Sequence, residues 1–206
     1  MLSLQGIQLR PPTEDEFMLL TDLRNRNRRW FGDRHELEPS AASAWLARRH
    51  DEDQLLCIVS EGVILGTVGW ARIPVNGRVY EMGRTIGDYR ATRRISRDAK
   101  QLPDAVRIAV YLVLDYLFVT SRADAVYVRI RPENGLVRKV VETFEGHFGL
   151  WPFPGPNPDL ESWHLTHADW LANRDRTLAR INARTNRPAD SGSTTRRGGA
   201  SFKPSG

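Results

Sequence analysis

The stretch Ala125-Val-Tyr-Val-Arg-Ile-Arg131, followed by Pro132-Glu-Asn-Gly135 and then by Leu136 to Glu145, decides how this chain is read. Val126, Val128 and Ile130 alternate with Tyr127, Arg129 and Arg131, the period of two expected of a pleated strand with one apolar face. Pro132 has no N–H to give to a ladder and ends the strand. Asn134 is a favourable N-cap for the helix that follows. In that helix Leu136, Val137, Val140, Val141 and Phe144 fall on one side, with Arg138, Lys139 and Glu142 on the other. A strand that turns into a helix through an Asn-containing turn is an α/β unit.

Upstream, Ile7 to Arg10 alternates as a short strand and stops at Pro11-Pro12. Thr13 and Glu16 form a capping box that opens a helix with Phe17, Leu20 and Leu23 in its apolar stripe. A second helix is expected from Pro39-Ser40. Three strands follow, Gln54 to Ser60, Val63 to Ile73 and Arg78 to about Asp88, joined at Glu61-Gly62 and Asn76-Gly77. Such turns between alternating segments predict an antiparallel meander. Pro103-Asp104 opens the most apolar helix, reaching Thr120; only Asp104, Arg107, Tyr111 and Asp115 form a polar stripe on it. A helix apolar nearly all round belongs in the middle of a core. Beyond the Ala125 to Glu145 unit, Phe153 to Pro158 reads as a linker, Leu160 to Leu165 as a strand, and Thr166 to about Arg184 as a terminal helix.

Composition sets outer limits. At 206 residues, with 40% hydrophobic and 27% charged residues, residues 1–184 suffice for one soluble domain. Residues 185–206 are rich in Ser, Thr, Gly, Pro and Arg, with Phe202 as the one large apolar residue, and read as a disordered basic tail. The single cysteine, Cys57, lies in an apolar run and excludes an internal disulfide framework or a multi-cysteine metal site. Met1 to Gly6 lacks the features of a leader, and Ile108 to Val119 is too short to span a bilayer, so a cytoplasmic protein without membrane contact is expected, as monomer or homodimer. The net charge of +5 and pI near 9.8 come from arginine. Base composition explains this, and so does an anionic partner such as nucleic acid.

The order strand, two helices, three antiparallel strands, helix, strand, helix, strand resembles the GNAT superfamily of acyltransferases over about Ile7 to Trp170. Ile64 to Arg72 is similar to the family's third strand and Val79 to Gly87 to its fourth. Arg131-Pro-Glu-Asn134 resembles its late turn. Trp163-His-Leu-Thr-His-Ala-Asp-Trp170 resembles the closing strand and helix start of the ribosomal-protein-acetylating branch. The fold this implies is α/β (α+β): a mixed, mostly antiparallel sheet flanked by helices on both faces.

The resemblance implies transfer of an acetyl group from acetyl-CoA to a primary amine. In the family the fourth strand holds the pantetheine arm through its backbone, which points here to Met82, Gly83, Arg84, Thr85 and Ile86, with Asn134 at the late turn. A glycine-rich loop and the next helix N-terminus hold the pyrophosphate, because free N–H groups attract phosphate oxygens. The matching stretch, Arg90 to Pro103, contains no glycine, so its backbone does not readily take positive φ. Arg93, Arg94, Arg97 and Lys100 are the side-chain donors available instead. The family's general base is a carboxylate on the fourth strand, or a water held there, which makes Glu81 the first candidate and Asp88 the second. Glu81 reads equally as a strand residue paired with a nearby arginine. The family's acid, a tyrosine seven residues after the turn asparagine, is Val141 here. The connection after the first helix lines the acceptor cleft in the family, which assigns Arg28, Trp30 and Phe31 to that role.

His164 and His167 lack companions for a metal site, and no metal is expected. The other tryptophans read as packing residues. Two alternatives to the acetyltransferase stay open on the missing glycines. One is a non-catalytic module of this fold that binds nucleic acid or a partner through Arg24 to Arg29 and the tail. The other is a nucleic-acid-modifying enzyme with a different donor.

Overall fold

The structure is a computed structural model that describes residues 1–31, 34–47, 52–88, 90–91, 101–135, 137, 138, 140, 141, 144, 151–153 and 160–185. Leu2–Leu4 (β1) and Ile7–Arg10 (β2) form a hairpin around Gln5-Gly6, both at positive φ, +51° and +76°. The sequence reading found β2 only. Positive φ at both central residues suits the twist of paired strands, which is why Leu2 and Leu4 fold back and pack on the core. Thr13 N–H donates to Glu16 Oε2 at 2.9 Å, so the capping box is present at the entry to Phe17–Arg26 (α1). Glu16 also receives the Arg10 guanidinium at 2.8 and 2.5 Å. Pro39–Ala47 (α2) follows.

Asp53–Ser60 (β3), Val63–Arg72 (β4) and Val79–Gly87 (β5) are the expected antiparallel meander. The β4–β5 hairpin closes earlier than expected, with Ile73 N–H bonded to Val79 O at 2.8 Å, because Pro74 cannot extend the ladder. Gln101–Asp115 (α3) starts two residues before the expected Pro103, which sits in the first turn where its missing N–H costs nothing. Tyr116–Thr120 continues it as a wider π-helical turn. Ala125–Ile130 (β6) leads to a helix within residues 135–144 (α4). Trp151–Phe153 (β7) is a short edge strand where a linker was expected to begin; Pro152 is tolerated there because an edge strand has one unpaired side. Glu161–Thr166 (β8) and His167–Thr185 (α5) end the described chain. Of the expected tail, Thr185 ends α5 and residues 186–206 lie outside the described residues.

Among the described residues one sheet joins the strands in the order β1-β2-β3-β4-β5-β6-β8-β7, with β5–β6 as its one parallel pair. Alternation along β3 divides the two faces. Leu55, Cys57 and Val59 meet Leu20 of α1 on one, while Leu56 and Ile58 join the α3 core on the other. Two residues of the polar stripe of α3 face α5. Tyr111 lies 5.4 Å from the buried Trp170 ring of α5, and Asp115 takes Arg174 of α5 at 2.5 and 3.1 Å. Burial pushes the Tyr111 hydroxyl above its ordinary value. No helix among the described residues is long and apolar enough to cross a membrane.

The Arg10–Glu16 contact makes a pH prediction. The Arg10 guanidinium, helped by Thr13 and opposed by burial, holds the Glu16 carboxyl down to about 2 from 4.5. A carboxyl with a depressed folded value stabilises the fold above its unfolded value and loses that contribution as pH falls. The urea midpoint of Glu16→Gln should therefore lie below that of the parent near neutral pH. The gap should shrink steadily between about pH 4.5 and about pH 2. A gap that stays constant through that window would assign Glu16 a role unrelated to its charge.

Candidate functional site

β5 and β6 run side by side only from Val79 opposite Ala125 to Met82 opposite Val128, and then separate. The cause lies in β5. Thr67 pairs with Ile86 and Gly69 with Gly83, so two steps along β4 meet three along β5. The extra residue is a β-bulge at Arg84, whose φ is +55°. A non-glycine residue there costs roughly 1–2 kcal/mol, and neighbouring contacts hold it. Thr67 Oγ1 donates to Arg84 O at 2.7 Å, and the Arg84 guanidinium is salt-bridged to Asp53 of β3. The Arg84 side chain reaches Asp53 by crossing β4 over Gly69. A Cβ at Gly69 would stand 3.4 Å from Arg84 Cδ and 2.3 Å from Gln54 O.

Among the described residues β5 has no ladder partner on its β6 side beyond Met82, so its backbone on that side faces the gap. The gap is a cleft of about 340 Å³. Met82, Gly83, Arg84 and Thr85 form one wall, and Val128, Arg129 and Ile130 the other. Trp30, Phe31 and Trp70 also line it, with Asn134 and Val137 from the start of α4. Asn134 Oδ1 accepts the Val137 N–H at 3.3 Å, which is the cap expected of it.

Glu81 stands in the cleft wall, held by Arg129 through Nε to Oε1 at 2.9 Å and through Nη2 to Oε2. That hydrogen-bonded pairing raises the Arg129 guanidinium above its ordinary value. Asp88 does not line the cleft. Its Oδ1 accepts the N–H groups of Arg90 and Ala91 at 2.8 and 3.3 Å, capping the segment that follows β5. Ile86 is turned away as well: its partner Thr67 lies three residues from Trp70, the partner of Met82, so the bulge puts Ile86 and Met82 on opposite faces. Arg28 faces Glu36 at 3.4 Å rather than the cleft. Arg93, Arg94, Arg97 and Lys100 lie outside the described residues.

Trp30 and Phe31 are placed by their arginine neighbours. The Arg29 guanidinium lies 4.4 Å over the Trp30 ring and that of Arg24 5.4 Å over Phe31. Arg131, 6% exposed, donates through Nε to Phe31 O at 3.2 Å and ties the segment after α1 to the end of β6. Sequence reading missed Arg129, Arg131, Trp70 and Leu160 as residues of this region. Alternation put both arginines in the polar set of β6, but nothing local says which strand lies beside them. Val141, in place of the family's tyrosine, is buried in the core and supplies no proton. His164 and His167 belong to no metal-binding group among the described residues.

No protein-family model matches the sequence, and no curated protein matches it significantly. Solved structures do. Apo FdhC, described as a nucleotide-linked sugar GNAT, is 15% identical with a TM-score of 0.66, over 87% of this chain and 97% of its own. Mycobacterium smegmatis RimJ, solved with CoA-disulfide, is 16% identical with a TM-score of 0.62, over 85% and 89%. A ribosomal-protein-S5-alanine acetyltransferase from Vibrio fischeri is 16% identical with a TM-score of 0.59, over 82% and 97%. This chain has the GNAT fold. Within that fold the described cleft is the divergence of the one parallel strand pair, with the bulged strand as one wall.

The bulge contacts predict a measurable cost. Thr67→Val keeps the shape and removes the hydroxyl that donates to Arg84 O. Loss of one such bond should cost about 1 kcal/mol, or roughly 2–4 °C in melting temperature for a chain of this size. An unchanged melting temperature would show that the bulge is held without it.

Proposed function

We propose that the protein is an N-acetyltransferase that moves the acetyl group of acetyl-CoA onto a primary amine. The observation that carries this reading is the parting of β5 from β6 within a GNAT fold, which leaves an extended strand edge unpaired beside a cleft. A linear chain bearing amides can lie along such an edge as an added strand, exchanging hydrogen bonds with β5. Acetyl-CoA supplies an acyl carbonyl activated as a thioester. Gly83 leaves room in the wall, since a Cβ built there meets nothing within 4 Å. In this reading Met82 to Thr85 hold the pantetheine arm, Asn134 and the start of α4 close its far side, and Arg93, Arg94, Arg97 and Lys100 meet its phosphates.

Glu81 sits where the two parallel strands still pair, in the same wall. Its carboxylate attracts the ammonium of the acceptor and takes a proton from it, which frees the nitrogen lone pair for attack. The N–H groups on that edge of β5 polarise the carbonyl under attack. With Val141 in the core, the proton for the departing sulfur comes from the amine itself or from water. The arginines favour a small acceptor over a nucleic acid. Arg10, Arg84, Arg107, Arg129 and Arg174 are each paired with a carboxylate, so these five cations are not surface charges open to phosphates.

Two measurements check this reading. Acetyl-CoA at a hundred times its dissociation constant should stabilise the fold by about 2.7 kcal/mol, which is roughly 5–10 °C in melting temperature. No shift at millimolar acetyl-CoA would overturn the reading. Gly83→Ala should melt like the parent without ligand, because its Cβ meets nothing within 4 Å, and the bulkier Gly83→Val should lose most of the shift produced by acetyl-CoA. A variant that keeps the full shift would place the acyl donor elsewhere.

A further inference from the structure

The Glu81–Arg129 pair is shared by two cavities. One is the cleft between β5 and β6; the other, of about 470 Å³, opens on the side of the β4–β5 hairpin. Ala71, Glu81 and Arg129 line both, so the ion pair stands in their common wall. The second cavity has an apolar side, built from Ile73, Pro74, Val75 and Val79 with the Tyr127 ring. Val75 at its rim is 52% exposed. Its polar side holds Arg72, which is paired with Glu52, and Glu81 together with Arg129 and Ser162; the last two are direct cross-strand partners on β6 and β8 and so share a face.

Ser162 is the observation that points to a ligand. It is 4% exposed, and its Oγ makes no hydrogen bond to the protein. A buried hydroxyl without a partner carries the full cost of its desolvation unless something else satisfies it. Arg129 reaches Glu81 through Nε and Nη2, which leaves the Nη1 end of the guanidinium outside that contact. Two donors, one of them cationic, thus border the same space, and their complement is an anionic acceptor group.

Charge then limits what can bind. Side-chain exposures of 32% for Arg129 and 30% for Glu81 mean that both charges are partly shielded from water. A plain amine that engaged Glu81 would draw the carboxylate from Arg129 and leave a partly buried cation without its partner. A zwitterion brings its own anion and replaces one ion pair by two without changing the net charge of the cavity.

We propose that the second cavity is the acceptor subsite and that it selects free amino acids with apolar side chains. The ammonium meets Glu81, the carboxylate meets Arg129 and Ser162 Oγ, and the side chain lies on Ile73, Pro74, Val75 and Val79. This rests on the acetyl-transfer reading above and deepens it. The amino group, held at the common wall, reaches the acyl carbon in the first cleft. One ammonium proton passes to Glu81 and then to solvent, and the nitrogen lone pair forms the C–N bond. The C–S bond breaks, and the second proton goes to the departing sulfur, leaving an N-acetyl amino acid and a free thiol.

Calorimetric titration of the full chain without acetyl-CoA tests the subsite directly, with leucine, leucinamide and isoamylamine as probes. Leucine should bind at least tenfold more tightly than the other two, which lack the carboxylate. Ser162→Ala should weaken leucine severalfold yet melt at the same or a higher temperature, because it removes an unsatisfied buried hydroxyl; a purely structural role would not produce that split. Arg129→Gln should abolish the preference for leucine over leucinamide. Equal binding of leucine and leucinamide would overturn the proposal, as would the absence of binding by all three. In the latter case a melting shift with acetyl-CoA would leave acetyl transfer standing. Leucine binding without any acetyl-CoA shift would support the subsite while removing the donor.

Discussion

The structure turns on one constraint: β5 must pair with β6 at its start and leave it at its end. A parallel pair that stayed in register would seal the sheet, with every backbone group spent in the ladder. The bulge at Arg84 prevents this, and its support extends across three strands. Thr67 of β4 holds the Arg84 carbonyl, Gly69 of β4 lets the arginine pass, and Asp53 of β3 receives the guanidinium. These residues fit one another better than they fit any local pattern. A positive φ at Arg84, a glycine inside β4 and an acid at the start of β3 each look unexplained until the strands are laid side by side.

The same arrangement orders the chemistry. Cleft walls built on strands hold their groups more firmly than loops would, and the groups that face the gap are backbone atoms released by the divergence. Above the cleft, Trp30 and Phe31 come from an irregular segment, so they need anchoring. Stacked Arg29 and Arg24 cover their rings, and buried Arg131 holds the Phe31 carbonyl. Arg24, Arg29 and Arg131 thus act here as internal ties. A half-exposed ion pair adds little to stability, so the Glu81–Arg129 pair is better understood by its place between two cavities than by the energy it adds.

Much of the scaffold was legible in the chain. Alternation located β2 to β6 and β8, the capping box located α1, and the nearly all-apolar segment located α3 in the core. β1 and β7 were missed because each is three residues long and forms only through pairing with a neighbour. The polar stripe of α3 was visible, but its meaning was not. Asp115 faces α5 because Arg174 is there to meet it, and Arg174 lies 59 residues away in the chain.

The candidate site divides along the same line. Met82 to Thr85, Glu81, Asn134, Trp30 and Phe31 are named through the family resemblance, which places residues by segment order, and all of them line the cleft. Asp88, Ile86 and Arg28 are named in the same way and stand apart from the cleft, since a bulge, a cap and an ion pair redirect them. The partnership of Glu81 with Arg129, 48 residues apart, and the meeting of Arg129 with Ser162 were decided by tertiary structure alone. The reason is register. A sequence specifies which residues of a strand share a face, but which residue lies opposite depends on how two distant strands align, and a slip of one residue would send every side chain to the other side.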